Sequence, residues 1–273
     1  MWWQMKKPVP VAFDSSGANI RAILYQASGA EPLPTVILCH GFPGDEGDVL
    51  GLGDRLMREG FNALSFNYRG SWGSEGLFRD SNSLEDVISA IHYLKSSFAV
   101  KEFNVDSSRI ALIGYSYGGG MALLGSLSDD SVRRVVDIAG GNLGEAGRMM
   151  KQSDDFRRAI EKSIEDGAAN SGLRVNPKEI IADLLADLDK FDLVKHAEEI
   201  SNKDILIIGG WRDQEADIEH HMLPLIRALQ RHGANQMQIE IFDSDHSFTN
   251  VRSQLAERIL SWLKKTPPDK TAR

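Results

Sequence analysis

The chain is poor in the features that would tie it to an oxidising compartment, a membrane or a polyanion. Its 273 residues include one cysteine, Cys39, so no internal disulfide can form. Cys39 lies inside the apolar run "TVILCH", where a small buried core residue is expected rather than a catalytic thiol. No run of about 18 apolar residues occurs, so no membrane-spanning helix is expected. The opening "MWWQMKKPVP" lacks the apolar stretch of about 7–15 residues that marks a secretion signal. A cytoplasmic location is the resulting expectation. The tail "KKTPPDKTAR" is charged and broken by prolines, and fraying is expected there. Basic residues are in the minority, 31 against 39 acidic, giving a net charge of −8. Nucleic acid is therefore not an expected partner, because phosphate binding needs a basic surface. Metal and cofactor signatures are also missing. There is no H-E-x-x-H and no paired-cysteine spacing. His220 and His221 are adjacent and would face different directions on a helix. No G-x-G-x-x-G follows a strand, and "GYSYGGG" lacks the lysine of a phosphate loop. No metal and no cofactor are expected.

What is present is an alternation of short apolar runs and longer amphipathic segments. "VPVAFDS" and "NIRAILYQ" read as two strands of a hairpin. "TVILCH" (35–40), "FNALSFN" (61–67), "RIALIG" (109–114), "RRVVDIAG" (133–140), "DILIIGG" (204–210) and "MQIEIFD" (237–243) read as six further strands. The continuous apolar ones suit burial on both faces. Helices are expected near 48–59, 83–97, 117–127, 215–232 and 251–265. The second carries Leu84, Val87, Ile88, Ile91 and Leu94 on one stripe, and Ser83 with Asp86 gives it a capping-box-like start. Strand–helix alternation implies an α/β fold: a mostly parallel sheet with helices on both faces. Residues 142–200 break the alternation. They hold three helical segments and no convincing strand, with Ser153 capping one and Asn176-Pro177 starting another. The expected organisation is a core of residues 1–141 and 201–273, with 142–200 inserted as a helical cap or an enlarged crossover.

The stretch Gly114-Tyr115-Ser116-Tyr117-Gly118 follows a strand and opens a helix. That context gives a G-x-S-x-G pattern its meaning, a serine at the tip of a strained turn with its hydroxyl exposed. The following helix N-terminus lends positive potential to a nearby oxyanion. A serine hydroxyl needs a base. Of the seven histidines, His92, His196, His220, His221 and His232 fall in or beside helices and read as exposed or rim residues. His246, in "FDSDHSF", follows the last strand at its carboxyl end, where an open α/β sheet lines its crevice. It is the expected general base. Asp213, just past "ILIIGG", is the expected partner that orients the imidazole. Glu215, Asp217, Asp243 and Asp245 are nearby alternatives.

The chain order Ser116, Asp213, His246 matches that of the α/β-hydrolases. With His40-Gly41-Phe42-Pro43-Gly44 after the third strand, and Tyr68-Arg69-Gly70 and Gly73-Ser74-Glu75-Gly76 after the next, the chain resembles the α/β-hydrolase superfamily over essentially its whole length. Within it the pattern is similar to the serine esterase branch holding feruloyl-type esterases and the hydrolase domains of acylaminoacyl and prolyl peptidases. The resemblance implies a twisted eight-stranded sheet and an oxyanion hole from two backbone N–H groups, of Phe42 and Tyr117. It implies that His40 braces its loop rather than acting as a second base. Trp72 and Phe78, and Met149 and Met150 of the insertion, are candidates to line a substrate pocket. The implied activity is cofactor-free cleavage of a small carboxylic ester through an acyl-enzyme on Ser116. The same triad could serve a peptidase or amidase, or an acyltransferase or perhydrolase. Such peptidases usually carry a further large domain, for which 273 residues leave no room, so an ester is expected. A non-catalytic binding protein has no need of all three groups. The sequence is compatible with a homodimer.

Overall fold

Strands that are apolar at every position have two faces to bury, and the computed structural model shows both covered. It describes residues 7–45, 47 and 49–265. Most of the opening decapeptide and of the proline-broken tail lie outside them. Among the described residues no helix is long and apolar enough to cross a membrane. Eight strands form one sheet: β1 (Val9–Ser15), β2 (Ala18–Tyr25), β3 (Leu33–Cys39), β4 (Asn62–Phe66), β5 (Val105–Tyr115), β6 (Arg134–Ile138), β7 (Asp204–Gly210) and β8 (Met237–Phe242). Their order is β1-β2-β4-β3-β5-β6-β7-β8. The β1–β2 and β2–β4 pairs are antiparallel, and every other pair is parallel.

Alternate residues of the central strands feed two separate cores. Ile37, Leu112, Ile205 and Ile207 point to one side. Val36, Leu38, Ile113, Leu206 and Ile208 point to the other. Full burial of each such side chain contributes about 1.5–3 kcal/mol. Helices α1 (Leu52–Arg58) and α10 (Arg252–Leu263) cover the second core through Leu56, Ile259 and Trp262. Helices α2 (Asp80–Lys95), α3 (Ser97–Phe103), α4 (Tyr117–Gly125), α8 (Ala197–Ile200) and α9 (Leu223–Arg231) cover the first, through residues such as Ile91, Leu123 and Leu229. The α/β architecture expected from the sequence is present. Several boundaries shift by a few residues, and one shift changes a residue's role. Helix α2 begins at Asp80, so Ser83 and Asp86 do not form its cap. Asp86 is instead a buried anchor that accepts from Ser15 Oγ (2.7 Å), Arg69 N (2.7 Å) and Arg69 Nε (2.6 Å). It fixes the loop after β4, a contact across the fold that local spacing does not reveal.

Between β6 and β7 lie α5 (Leu143–Gln152), α6 (Asp154–Ser171) and α7 (Pro177–Ala186), followed by α8. Their starts are where the side chains require. Asn142 accepts from Gly144 N, Ser153 from Phe156 N, and Asn176 from Lys178 N and Glu179 N. Apolar residues at i, i+4 on α6 (Phe156, Ile160, Ile164, Ala168) face inward and pack against the first core, and Ile180, Ile181 and Leu184 of α7 belong to it. The insertion thus has no core of its own. Arg174 ties its far end down: its N–H donates to Gly70 O (2.6 Å), its carbonyl accepts from Phe78 N (2.8 Å), and its guanidinium reaches Gly76 O and Ser74 O.

Candidate active site

Ser116 stands at the turn between β5 and α4 with φ 55° and ψ −124°, backbone angles that cost a non-glycine residue free energy. The turn is possible because its neighbours lack side chains. A Cβ on Gly114 would lie 2.0 Å from Gly118 O, and one on Gly118 would lie 2.2 Å from Cys39 O. Backbone bonds hold the strained residue: Ser116 N donates to Ile138 O (2.8 Å), and Ser116 O accepts from Gly119 N (2.8 Å) and Gly141 N (3.2 Å).

Three side chains distant in sequence meet here. The Ser116 hydroxyl donates to His246 Nε2 at 2.9 Å, and His246 Nδ1–H donates to Asp213 Oδ2 at 2.7 Å. The other Asp213 oxygen accepts from Glu215 N (2.8 Å) and Ala216 N (3.0 Å). Burial pushes the Asp213 carboxyl up, but the His246 bond and these N–H donors outweigh it, and the net direction is below the usual carboxylate range. Burial pulls the His246 imidazole down. The Asp213 hydrogen bond and charge, with Glu215 and Asp245 behind them, win, and the imidazole is raised above its ordinary value. The alternative acids are engaged elsewhere. Asp217 holds the His220 ring, Asp243 pairs with Arg212, and Asp245 accepts from Ser247 N. Glu215 comes no closer to His246 than 3.9 Å, at Nε2.

Tyr115 was silent in the sequence. Its hydroxyl donates to His246 O (3.2 Å), and its ring lies 5.2 Å from the imidazole. A tyrosine just before the serine gives no local signal of holding a loop 131 residues away.

The loop after β3 lies against the turn: a Cβ on Gly41 would stand 3.1 Å from Ser116 Cβ. His40 Nδ1–H donates to Gly41 O (2.7 Å), and its ring packs edge-on to Tyr68. The Phe42 ring is 5.4 Å from Phe78 and 6.5 Å from Tyr117. Among the described residues, no acceptor takes the Phe42 or Tyr117 N–H. Cys39 is fully buried, and burial raises its thiol to about 12, which leaves it protonated and unreactive at neutral pH.

A cavity of about 190 Å³ opens between this loop and the cap, walled by Phe42, Phe78 and Tyr117 below and by Met150, Ile164 and Leu184 above. Phe78 and Met150 are therefore on it, whereas Trp72 and Met149 are not among its lining residues. Met150 shares a helix face with Leu143 and Ala146, and Met149 is turned a quarter circle away. Trp72 is 38% exposed and donates its indole N–H to Pro43 O (3.2 Å), clasping the loop from outside. An acid on this wall was unforeseen. Asp80 is buried, its Oδ1 accepts the Tyr117 hydroxyl (3.0 Å), and burial, with the Asp183 charge adding to it, raises its carboxyl to about 7. Among the described residues no three His, Cys, Asp or Glu side chains converge as a metal site.

The sequence model of the BD-FAE family matches residues 22–225. The chain belongs to the BD-FAE family. This BD-FAE chain is 31% identical over 134 residues to the quorum-quenching protein AidA of Acinetobacter baumannii, covering 47% of this chain and 42% of that one. It spans less than half the length of the first curated relatives it matches. Among solved structures it superposes on an esterase of Pyrococcus furiosus with a TM-score of 0.68 at 16% identity, covering 94% of this chain and 90% of that one. It also superposes on an acylaminoacyl peptidase of Pyrococcus horikoshii with a TM-score of 0.72 at 16% identity, covering 98% and 43%. At such identities the likeness is one of fold. That fold is the α/β-hydrolase fold.

Proposed function

We propose that this protein hydrolyses carboxylic esters through an acyl-enzyme on Ser116. The observation that carries the reading is the unbroken line from Ser116 Oγ to His246 Nε2 (2.9 Å) and from His246 Nδ1 to Asp213 Oδ2 (2.7 Å). In this reading Ser116 Oγ attacks the acyl carbon as His246 Nε2 takes the hydroxyl proton. Asp213 keeps the imidazole in the tautomer that leaves Nε2 free and stabilises the imidazolium that forms. The carbonyl oxygen becomes an oxyanion facing the Phe42 and Tyr117 N–H groups. Each such donor contributes about 10²–10³ in turnover. Collapse of the tetrahedral adduct breaks the ester C–O bond, and the leaving alcoholate takes the proton from His246. Water, losing a proton to the same nitrogen, attacks the acyl-enzyme. A second tetrahedral adduct then expels Ser116 Oγ, which recovers that proton, and the acid leaves.

The cavity beside Phe42 and Tyr117 gives the acyl group an apolar place to lie. Amide cleavage on the same line of groups is the second reading, favoured by the fold shared with the acylaminoacyl peptidase. A p-nitrophenyl ester series from acetate to decanoate, with an arylamide alongside, tests both in wild type and Ser116→Ala. Ester hydrolysis that vanishes in the variant is the expected result. Arylamide turnover exceeding that of every ester would move the assignment to the second reading. Hydrolysis that survives in Ser116→Ala would remove the serine from the mechanism altogether.

A further inference from the structure

The cavity under the cap holds one group that binding a hydrocarbon does not require. Its walls are almost wholly apolar, yet the Asp80 carboxyl stands among them, only 7% exposed. A carboxyl is costly in such surroundings unless something answers it. The Tyr117 hydroxyl answers Oδ1 at 3.0 Å. Among the described residues no donor reaches Oδ2. The adjacent Arg79 does not neutralise it, because that guanidinium is taken by Glu179 and Asp183 of α7. Nor is the carboxyl a helix cap: no backbone N–H of α2 donates to it among the described residues. An acid in a first turn gains from the helix dipole, but an exposed one would gain as well, without facing a cavity.

We infer that Asp80, together with the Tyr117 hydroxyl, forms a polar subsite for a hydroxyl group carried at the far end of an otherwise apolar acyl chain. The inference rests on the esterase reading above. Tyr117 follows the serine, and its ring runs along the cavity wall to Asp80. The carboxyl therefore stands one tyrosine side chain and one hydrogen bond away from the backbone beside the reacting carbonyl. A short acyl group cannot reach it, and several methylenes must intervene. A hydroxyl suits the site better than an ammonium group. It has one donor to give, whereas an ammonium has three. Besides Asp80 and Tyr117, Ser163 is the only polar side chain on the cavity wall among the described residues, so an ammonium would leave donors unmatched. The hydroxyl oxygen can in turn accept from Ser163, since the single Tyr117 O–H is already given to Asp80.

The test compares kcat/KM for p-nitrophenyl hexanoate and octanoate with their ω-hydroxy and ω-ammonio counterparts, in wild type, Asp80→Ala and Asp80→Asn. At about pH 8, above the raised value of Asp80, wild type is expected to favour the ω-hydroxy ester, at the chain length that spans the cavity, by about tenfold to a hundredfold, the range of a hydrogen bond to a charged group. Asp80→Ala is expected to lose that preference. Asp80→Asn, which keeps the shape and an acceptor, is expected to keep part of it, and it carries the test if the alanine variant does not fold. Absence of a preference in wild type at either length overturns the subsite. So does a preference unchanged in both variants, or a preference for the ω-ammonio ester. Hydrolysis of p-nitrophenyl acetate by wild type, and fluorophosphonate labelling of Ser116, report on the esterase reading itself. Their failure sinks that reading, whereas their success without a hydroxyl preference sinks only the subsite.

Discussion

In β7 every residue is buried, whereas in the eighteen-residue α6 only Ser171 is, among the described residues. The two segments border the same site from opposite sides. The sheet presents Ser116, Asp213 and His246 just past the carboxyl ends of β5, β7 and β8. The cap adds Met150, Ile180, Ile181 and Leu184 to the first core, but its α6 offers only half-buried faces. Such thinly packed elements sit at the low end of local stability. Under the proposed function, the contrast would leave the reaction to the sheet and the choice of acyl group to the cap.

The contrast can be broken most sharply on the sheet side. Ser116→Ala or His246→Ala is expected to lower kcat by about 10⁶ with the melting temperature nearly unchanged. A variant that also loses its thermal transition would show that the side chain holds the fold. Asp213→Asn is expected to cost about 10⁴ in kcat, because Nε2 would then carry the proton. A near-normal rate would show that Asp213 does not orient the base. In wild type the general base must be neutral, so kcat/KM on an uncharged ester is expected to rise about tenfold per pH unit and level off above an inflection higher than the usual histidine value of about 6.5. The direction follows from the raised His246. In Asp213→Asn the largest upward influence is gone and burial remains, so the inflection should move to lower pH. A pH–rate profile of both proteins reads this, and an inflection that stays in place would contradict the pairing. The smallest effect is expected on the cap side. Arg79 joins α2 to Glu179 and Asp183 through a partly exposed ion pair, and Arg79→Ala should cost under about 1 kcal/mol in urea unfolding. A larger loss would mean that the cap bears more of the fold's stability than its burial indicates.

Legibility in the sequence follows the same division. Strands buried on both faces must be apolar throughout, so "TVILCH" and "DILIIGG" announce themselves. The turn at Ser116 excludes side chains at Gly114 and Gly118, which leaves a written pattern. His246 and Asp213, which meet at Ser116, stand out in the sequence because each follows a strand's carboxyl end. The cap gives weaker signals. Ser153 and Asn176 mark helix starts through a local bond, but which neighbour of Met150 faces the cavity depends on how α5 is rotated. Asp80 at a helix start looks like any first-turn acid, and only its contact with Tyr117, across 37 residues, reveals where it stands. Asp86 was misread for the same reason, since its partners Ser15 and Arg69 lie on other elements.

The backbone angles of Ser116 have a consequence for how the molecule fails under stress. A residue held at φ 55° and ψ −124° stores about 1–3 kcal/mol of conformational strain. The hydrogen bonds to Ile138, Gly119 and Gly141 keep that strain from relaxing. Ser116 is thus a loaded spring, and the catch is the junction of β5 and β6. Heat or denaturant that loosens this junction should release the turn, so activity is expected to be lost no later than the fold.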